Sequence, residues 1–65
     1  MIGLRLRYAS LANANLQGGD LRRSNFREAN LSGANLSGAS WRQANLQGAN
    51  FTQANLTRSR LTGLI

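Results

Sequence analysis

Ala44-Asn45-Leu46-Gln47-Gly48 is followed at once by Ala49-Asn50-Phe51-Thr52-Gln53, and the same five-residue phrase runs outward from there in both directions. Counting in fives, a large apolar residue stands at Met1, Leu6, Leu11, Leu16, Leu21, Phe26, Leu31, Leu36, Trp41, Leu46, Phe51, Leu56 and Leu61, thirteen times without an exception. Two residues before it stands a small one: Ala9, Ala14, Gly19, Ser24, Ala29, Ala34, Ala39, Ala44, Ala49, Ala54 and Ser59. Between the two, through the middle stretch, lies Asn at positions 15, 25, 30, 35, 45, 50 and 55, with Asp20 and Ser40 as exceptions. The last two places of each unit are mostly polar or Gly. Self-similarity at a fixed period is the mark of a repeat architecture.

A period of five suits neither standard element. On an α-helix, at about 100° per residue, each apolar residue would advance by about 140°, so no face collects them. On a straight strand an odd period throws successive apolar residues to opposite sides. Within one unit, however, the small residue and the apolar one are two apart, which is strand alternation with both side chains on one face. The chain must then turn before the next pair can point inward. Each unit is therefore one short side ending in a corner. Gly18, Gly33, Gly38, Gly48 and Gly63, two places after the apolar residue, sit where a corner wants them. Successive sides wind into a coil, and coils stack through backbone hydrogen bonds.

The units Ala34-Asn-Leu-Ser-Gly38, Ala44-Asn-Leu-Gln-Gly48 and Ala49-Asn-Phe-Thr-Gln53 resemble the pentapeptide-repeat family, and the resemblance covers twelve tandem units over residues 4–63. It implies an all-β fold: a right-handed, four-sided parallel β-helix with four repeats per coil. A single domain, 1–65, of three coils (4–23, 24–43 and 44–63) is then expected. Residues twenty apart stack, so Leu6/Phe26/Leu46, Leu11/Leu31/Phe51, Leu16/Leu36/Leu56 and Leu21/Trp41/Leu61 form inward columns. Asn15/Asn35/Asn55 is expected to run as a side-chain ladder along the outside. Leu4 and Leu64 take slots filled elsewhere by small residues, so they either plug the open ends of the core or fray. Gly19 is expected to leave room for the Trp41 indole. Trp41 itself reads as core filler, and Ser24 and Ser59 as inward hydroxyls bonded to nearby backbone.

Composition removes several functions. The 65 residues contain no Cys and no His, so the usual zinc, haem, iron–sulfur and thiol chemistries are excluded. Asp20 and Glu28 are the only carboxylate side chains and fall on different sides, a poor acid/base pair. The serines have no His or Lys to activate them. We expect no enzyme activity, no cofactor and no small-molecule substrate. The sequons at Asn30, Asn35, Asn50 and Asn55 follow automatically from the repeat. No apolar run spans a membrane and no export signal opens the chain, so a bacterial, cytoplasmic setting is expected.

The charge is lopsided. Eight Arg against two carboxylates give a net charge of +6. Numbering sides 1 to 4 from residue 4, side 1 carries Arg5, Arg7 and Arg27, and side 4 carries Arg22, Arg23, Arg42 and Arg60. Arg58 sits at the corner into side 4. All eight therefore fall on one half of the prism. The edge is either a solvated face or a site for anions or an acidic partner. Arg throughout, never Lys, favours bidentate recognition, while Tyr8 alone offers an outward aromatic, too few for base stacking. With only two coil–coil junctions, stability is expected to be marginal, favouring end-to-end association or docking on a partner.

Three functions compete. The leading one is a non-catalytic structural or protein-interaction module that docks on a larger assembly or self-associates end to end. The second is binding of anions or nucleic-acid phosphates through the arginine edge. The third comes from the resemblance: some members look like duplex DNA and protect DNA gyrase from inhibitors. Those mimics use an acidic surface and a terminal dimerisation helix, whereas this chain is basic, so this reading ranks last. Units this regular also suit a fragment of a longer array or a designed chain.

Overall fold

The computed structural model describes residues 3–61, which contain no α-helix. Eight isolated parallel bridges tie the chain to itself, each joining residues twenty apart: Arg5 to Asn25, Ser10 to Asn30, Asn15 to Asn35, Asp20 to Ser40, and the same four positions again from Asn25 to Ser40 paired with Asn45 to Arg60. Twenty residues per coil are four pentapeptides per coil. The sides expected from the sequence are shorter than strands, because only one residue per unit lies in a bridge. Three residues separate successive corners, and the first and third of these point inward.

The bonding pattern repeats from side to side. Within side 3 of the middle coil, Leu36 N donates to Asn55 O (2.8 Å) and Gly38 N to Thr57 O (2.8 Å) one coil on, while Asn35 N donates to Ala14 O (2.9 Å) one coil back. Each corner closes with the small residue's amide donating to the apolar residue's carbonyl three places earlier, as Ala39 N does to Leu36 O (3.1 Å). Every fifth residue from Gly3 to Arg58 has φ between +58 and +74°. A four-residue turn with positive φ at its third place has the signature of type II, which favours Gly there. Yet Tyr8, Asn13, Arg23, Glu28, Gln43, Gln53 and Arg58 occupy this place as well. The stacked coils impose a left-handed conformation on residues that seldom adopt it unaided.

Burial grades along the stack. Leu21, Phe26, Leu31, Leu36 and Trp41 are buried, as are Ala29, Ala34, Ala39, Ala44 and Ser24. Leu6, Leu11 and Leu16 on one side of them, and Leu46, Phe51 and Leu56 on the other, are only partly buried and pack against that centre. Leu61 is exposed. Trp41 is fully buried, with Phe26 edge-on at 4.9 Å between ring centroids and Phe51 edge-on at 5.8 Å. Its Nε1 is buried without a hydrogen-bond partner.

The expectation for Gly19 needs correction. The atoms nearest to a Cβ placed there are Leu16 O at 3.0 Å and Leu21 Cδ2 and Cγ at 3.7 Å, so its own side and corner crowd the position, not the indole. Leu4 packs against the core, and its amide donates to Ser24 Oγ (3.0 Å). Ser59 Oγ donates to Leu36 O (2.6 Å). Both inward hydroxyls are thus bonded to backbone. Leu64, Gly63 and Met1 lie outside the described residues.

The outward Asn side chains also behave differently from the expected ladder. Asn15, Asn25, Asn30, Asn35, Asn45, Asn50 and Asn55 each accept through Oδ1 from the amide two residues on, at 2.9–3.2 Å. These are Asx turns, which fix the approach to each corner locally. Among the described residues none of these side chains bonds to the Asn stacked one coil away. Asp20 accepts from Arg22 N in the same way, at 3.3 Å.

Candidate functional site

The corners and sides distribute the arginines. Arg5, Arg7, Arg22, Arg23, Arg42, Arg58 and Arg60 are exposed, and Arg27 is partly buried. Stacking at a twenty-residue interval sets Arg22 beside Arg42 on side 4 and Arg7 beside Arg27 on side 1. Like charges placed opposite one another repel, and three local arrangements moderate this. Arg22 lies flat on Asp20 in a bidentate pair, Nε to Oδ1 and Nη2 to Oδ2, both 2.8 Å. Arg23 Nε donates to Gln43 Oε1 (3.2 Å) across the corner column. The Arg7 guanidinium carbon stands 5.2 Å from the centre of the Tyr8 ring, within range of a cation–π contact.

The Asp20–Arg22 pair is the one ion pair among the described residues. The side-chain hydrogen bond from Arg22 holds the Asp20 carboxyl down to about 2 and raises the guanidinium above its ordinary value. Sequence reasoning separated the two carboxylates by side but did not see this pair. Its signal was available: an acidic residue at the Asn place, two before an Arg that shares its turn. Arg5, Arg42, Arg58 and Arg60 form no ion pair among the described residues. Arg27 Nε is buried without a partner.

Side 4 is furrowed, not hollow. One shallow groove is lined by Arg22, Arg23, Arg42 and Gln43, and its neighbour by Asp20, Arg22, Ser40, Arg42 and Arg60. Both are open to solvent, so they suit a surface or an extended anion better than an enclosed small molecule. No group of three or more His, Cys, Asp or Glu among the described residues could hold a metal ion. The arrangement offers charge and hydrogen-bond donors on one half and uncharged Ser, Thr, Asn, Gln and Gly on most of the other.

A family model described as pentapeptide repeats (8 copies) matches residues 5–40 and 24–63. The chain belongs to the pentapeptide-repeat family. This pentapeptide-repeat chain is similar to the crystal structure of the pentapeptide repeat protein Rfr23 from the cyanobacterium Cyanothece 51142, with 33% sequence identity and a TM-score of 0.95 over 100% of its length. It is also matched, at 28% identity, 98% coverage and a TM-score of 0.45, to HetL from the cyanobacterium Nostoc sp. strain PCC 7120, a pentapeptide repeat protein involved in heterocyst differentiation regulation. The chain spans 45% of the length of each of these proteins. No curated protein matches it in sequence. The matched family is a non-catalytic repeat fold, and Rfr23 is a right-handed β-helix. No helix among the described residues is long and apolar enough to cross a membrane.

Proposed function

We propose that this pentapeptide-repeat protein is a non-catalytic interaction module, a three-coil right-handed β-helix that docks through its arginine-bearing half onto an acidic protein surface. The observation behind this reading is the segregation of charge. All eight Arg occupy sides 4 and 1 and the corner before them, and only Arg22 is neutralised by an ion pair among the described residues. A field of one sign on one half steers an oppositely charged partner and fixes its orientation. The stack fixes the spacing of the backbone positions from which the arginines project.

The probes are a polyglutamate peptide and a short DNA duplex, each titrated at increasing salt. The peptide should bind at low salt and weaken as salt screens the charges. Replacing Arg22, Arg23 and Arg42 together with Gln should weaken it further, while Gln17→Ala, an uncharged change on side 3, should leave binding unchanged. Equal effects of the two sets would reduce the arginine half to a solvated face. Duplex binding with a steep salt slope and no peptide binding would replace this reading with the phosphate-binding one, since each neutralised phosphate releases counterions. Failure of both probes at low salt would sink the edge as a charged docking surface.

A further inference from the structure

One turn of the middle coil departs from the other three. At the place filled by Asn25, Asn30 and Asn35 stands Ser40. Each of those Asn accepts from the amide two residues on, that of Arg27, Ser32 or Ser37, at 3.0–3.2 Å. The fourth such amide, Arg42 N, has no acceptor among the described residues. The Ser40 hydroxyl stands one bond nearer the backbone than an Asn oxygen does, and a seryl turn is the weaker kind. The Arg42 guanidinium is exposed and likewise in no ion pair among the described residues.

The coil before shows what such a turn accepts. Asp20 and Ser40 are bridged in parallel, Leu21 N donates to Ser40 O (2.8 Å) and Arg23 N to Arg42 O (2.9 Å), so residues 20–22 and 40–42 are equivalent stretches of backbone one coil apart. In the first stretch a carboxylate takes the Asn place. Its Oδ1 accepts from Arg22 N (3.3 Å) and Arg22 Nε (2.8 Å), and its Oδ2 accepts from Arg22 Nη2 (2.8 Å). One carboxylate thus meets an amide and a guanidinium fork together. Residues 40–42 repeat the amide and the fork but not the carboxylate, and the Ser40 hydroxyl adds a donor. The surroundings favour an anion. Asp20, Arg22, Ser40, Arg42 and Arg60 line one shallow groove open to solvent. Asp20 is already paired to Arg22, while Arg60, bridged to Ser40 from the other side, is in no ion pair among the described residues.

We propose that Ser40 and Arg42 form a carboxylate-binding site, in which an acidic side chain of a partner protein takes the place that Asp20 takes one coil away. One oxygen accepts from Arg42 N and Nε, the other from Arg42 Nη2, and the Ser40 hydroxyl donates as well. The site rests on the docking reading above for the source of the carboxylate and for nothing else. A planar carboxylate matches the planar fork bidentately. The arrangement repeated here is that of an aspartate on an arginine, which favours a carboxylate over a tetrahedral phosphate. Ser40 is bridged to a coil on each side, so the site belongs to the middle of the stack. Charge elsewhere on the arginine half steers a partner, and this turn fixes its register.

Nitrogen–proton NMR of the labelled chain reads the site directly. Acetate exchanged for chloride at constant ionic strength should move the Arg42 amide and Nε–H signals further than those of Arg5 and Arg58. Ser40→Asn supplies the acceptor used at Asn35 without changing the charge. It should abolish that movement and weaken binding of a polyglutamate peptide roughly tenfold, the scale of one charge-assisted hydrogen bond. Ser40→Asp should build the pair within the chain. The carboxyl it introduces should titrate well below the ordinary carboxylate range, as that of Asp20 does. Asn and Asp both occupy this place elsewhere in the stack, so both variants should keep the wild-type circular dichroism. The acetate titration needs no variant. Acetate that moves Arg42 no more than Arg58 overturns the site, and so does equal movement in the wild type and a folded Ser40→Asn. Peptide that binds with Arg42 unmoved also overturns it and leaves the docking reading in place. Acetate seated on Arg42 without any peptide binding removes the docking reading and keeps the site. A short DNA duplex that moves Arg42 where acetate does not gives the turn to phosphate and overturns the proposal.

Discussion

The middle coil and the outer coils are written in the same five-residue phrase, yet they live in different surroundings. Leu36 and Leu31 are wholly buried, whereas Leu16 and Leu11, one coil away in the same columns, are half-exposed at the face of the stack. Nothing in the units Ala14-Asn-Leu-Gln-Gly18 and Ala34-Asn-Leu-Ser-Gly38 accounts for the difference. What a residue contributes here is set by how many coils lie beside it. In a linear array, stability is close to a sum of unit and neighbour terms, and the middle coil has two neighbours where each outer coil has one.

The comparison is most sharply tested by burying a charge. Leu36→Arg should abolish cooperative folding, because an unpaired guanidinium in so narrow a core has no partner and no route to water. Leu16→Arg, in the same column, should leave a folded chain with a lowered melting temperature, since that side chain can reach solvent past the open face. Thermal melts followed by circular dichroism decide it. Equal loss in both would mean that the outer coil is as closed as the middle one.

Next in size are the corners. Gly33→Ala and Gly18→Ala both place a Cβ at positive φ, at a cost of about 1–2 kcal/mol. At position 33 the new methyl also collides with the Asn13 side chain, while at 18 it meets open space. Denaturant titrations should therefore show the larger loss for Gly33→Ala, and adding Asn13→Ala should remove the excess. If Gly18→Ala is the more damaging, the corner side chains do not lean the way the stack implies.

Smaller again is the loss of an Asx turn. Asn15→Ala removes the acceptor of one amide two residues on, and Asn35→Ala removes the same acceptor together with the bond from Ser37 Oγ (2.9 Å), each bond being worth about 0.5–1.5 kcal/mol. The same titrations should show the greater change at Asn35, whose turn is less solvated. Identical changes would mean that the turn bond is indifferent to its place in the stack.

The smallest effect is that of acid on the first coil. The Asp20 carboxyl, held down to about 2 by Arg22, contributes stability that is present above the ordinary carboxylate value and lost as pH falls through about 2. Carboxyl NMR titration should place its midpoint well below the ordinary carboxylate range. In Arg22→Gln the midpoint should return toward the ordinary range, and strong salt should raise it part of the way in the wild type. A midpoint unmoved by Arg22→Gln would detach the pair from the titration.

Much of this was legible because the repeat leaves so little freedom. The inward places from Leu6 to Leu56 follow from counting in fives, and the glycines at 18, 33, 38 and 48 marked the corner. The corner's conformation at Arg23, Gln43, Gln53 and Arg58 was not legible. Their side chains carry no preference for positive φ, and the constraint comes from coils twenty residues away. The Asn column was misread because its place fits a ladder along the stack as well as a bond within the turn. Asp20 at the same place held the clue, since a carboxylate can accept from its own turn but cannot donate along a ladder. Grading of burial between coils was beyond any reading of the units, because it depends on stack position and the motif does not.

Trp41 is the chain's single tryptophan, and it is sealed in the middle coil between two phenylalanine edges with its indole N–H bonded to nothing. Indole emission moves to the blue as polar contacts are withdrawn, so this chain should glow at the short-wavelength end of the tryptophan range and resist dissolved quenchers. It carries a built-in lamp that shines on the centre alone. Loosening of either end, to the extent that the middle coil stays shut, would leave that light unchanged, and its shift to the red would mark the moment at which the last pair of coils comes apart.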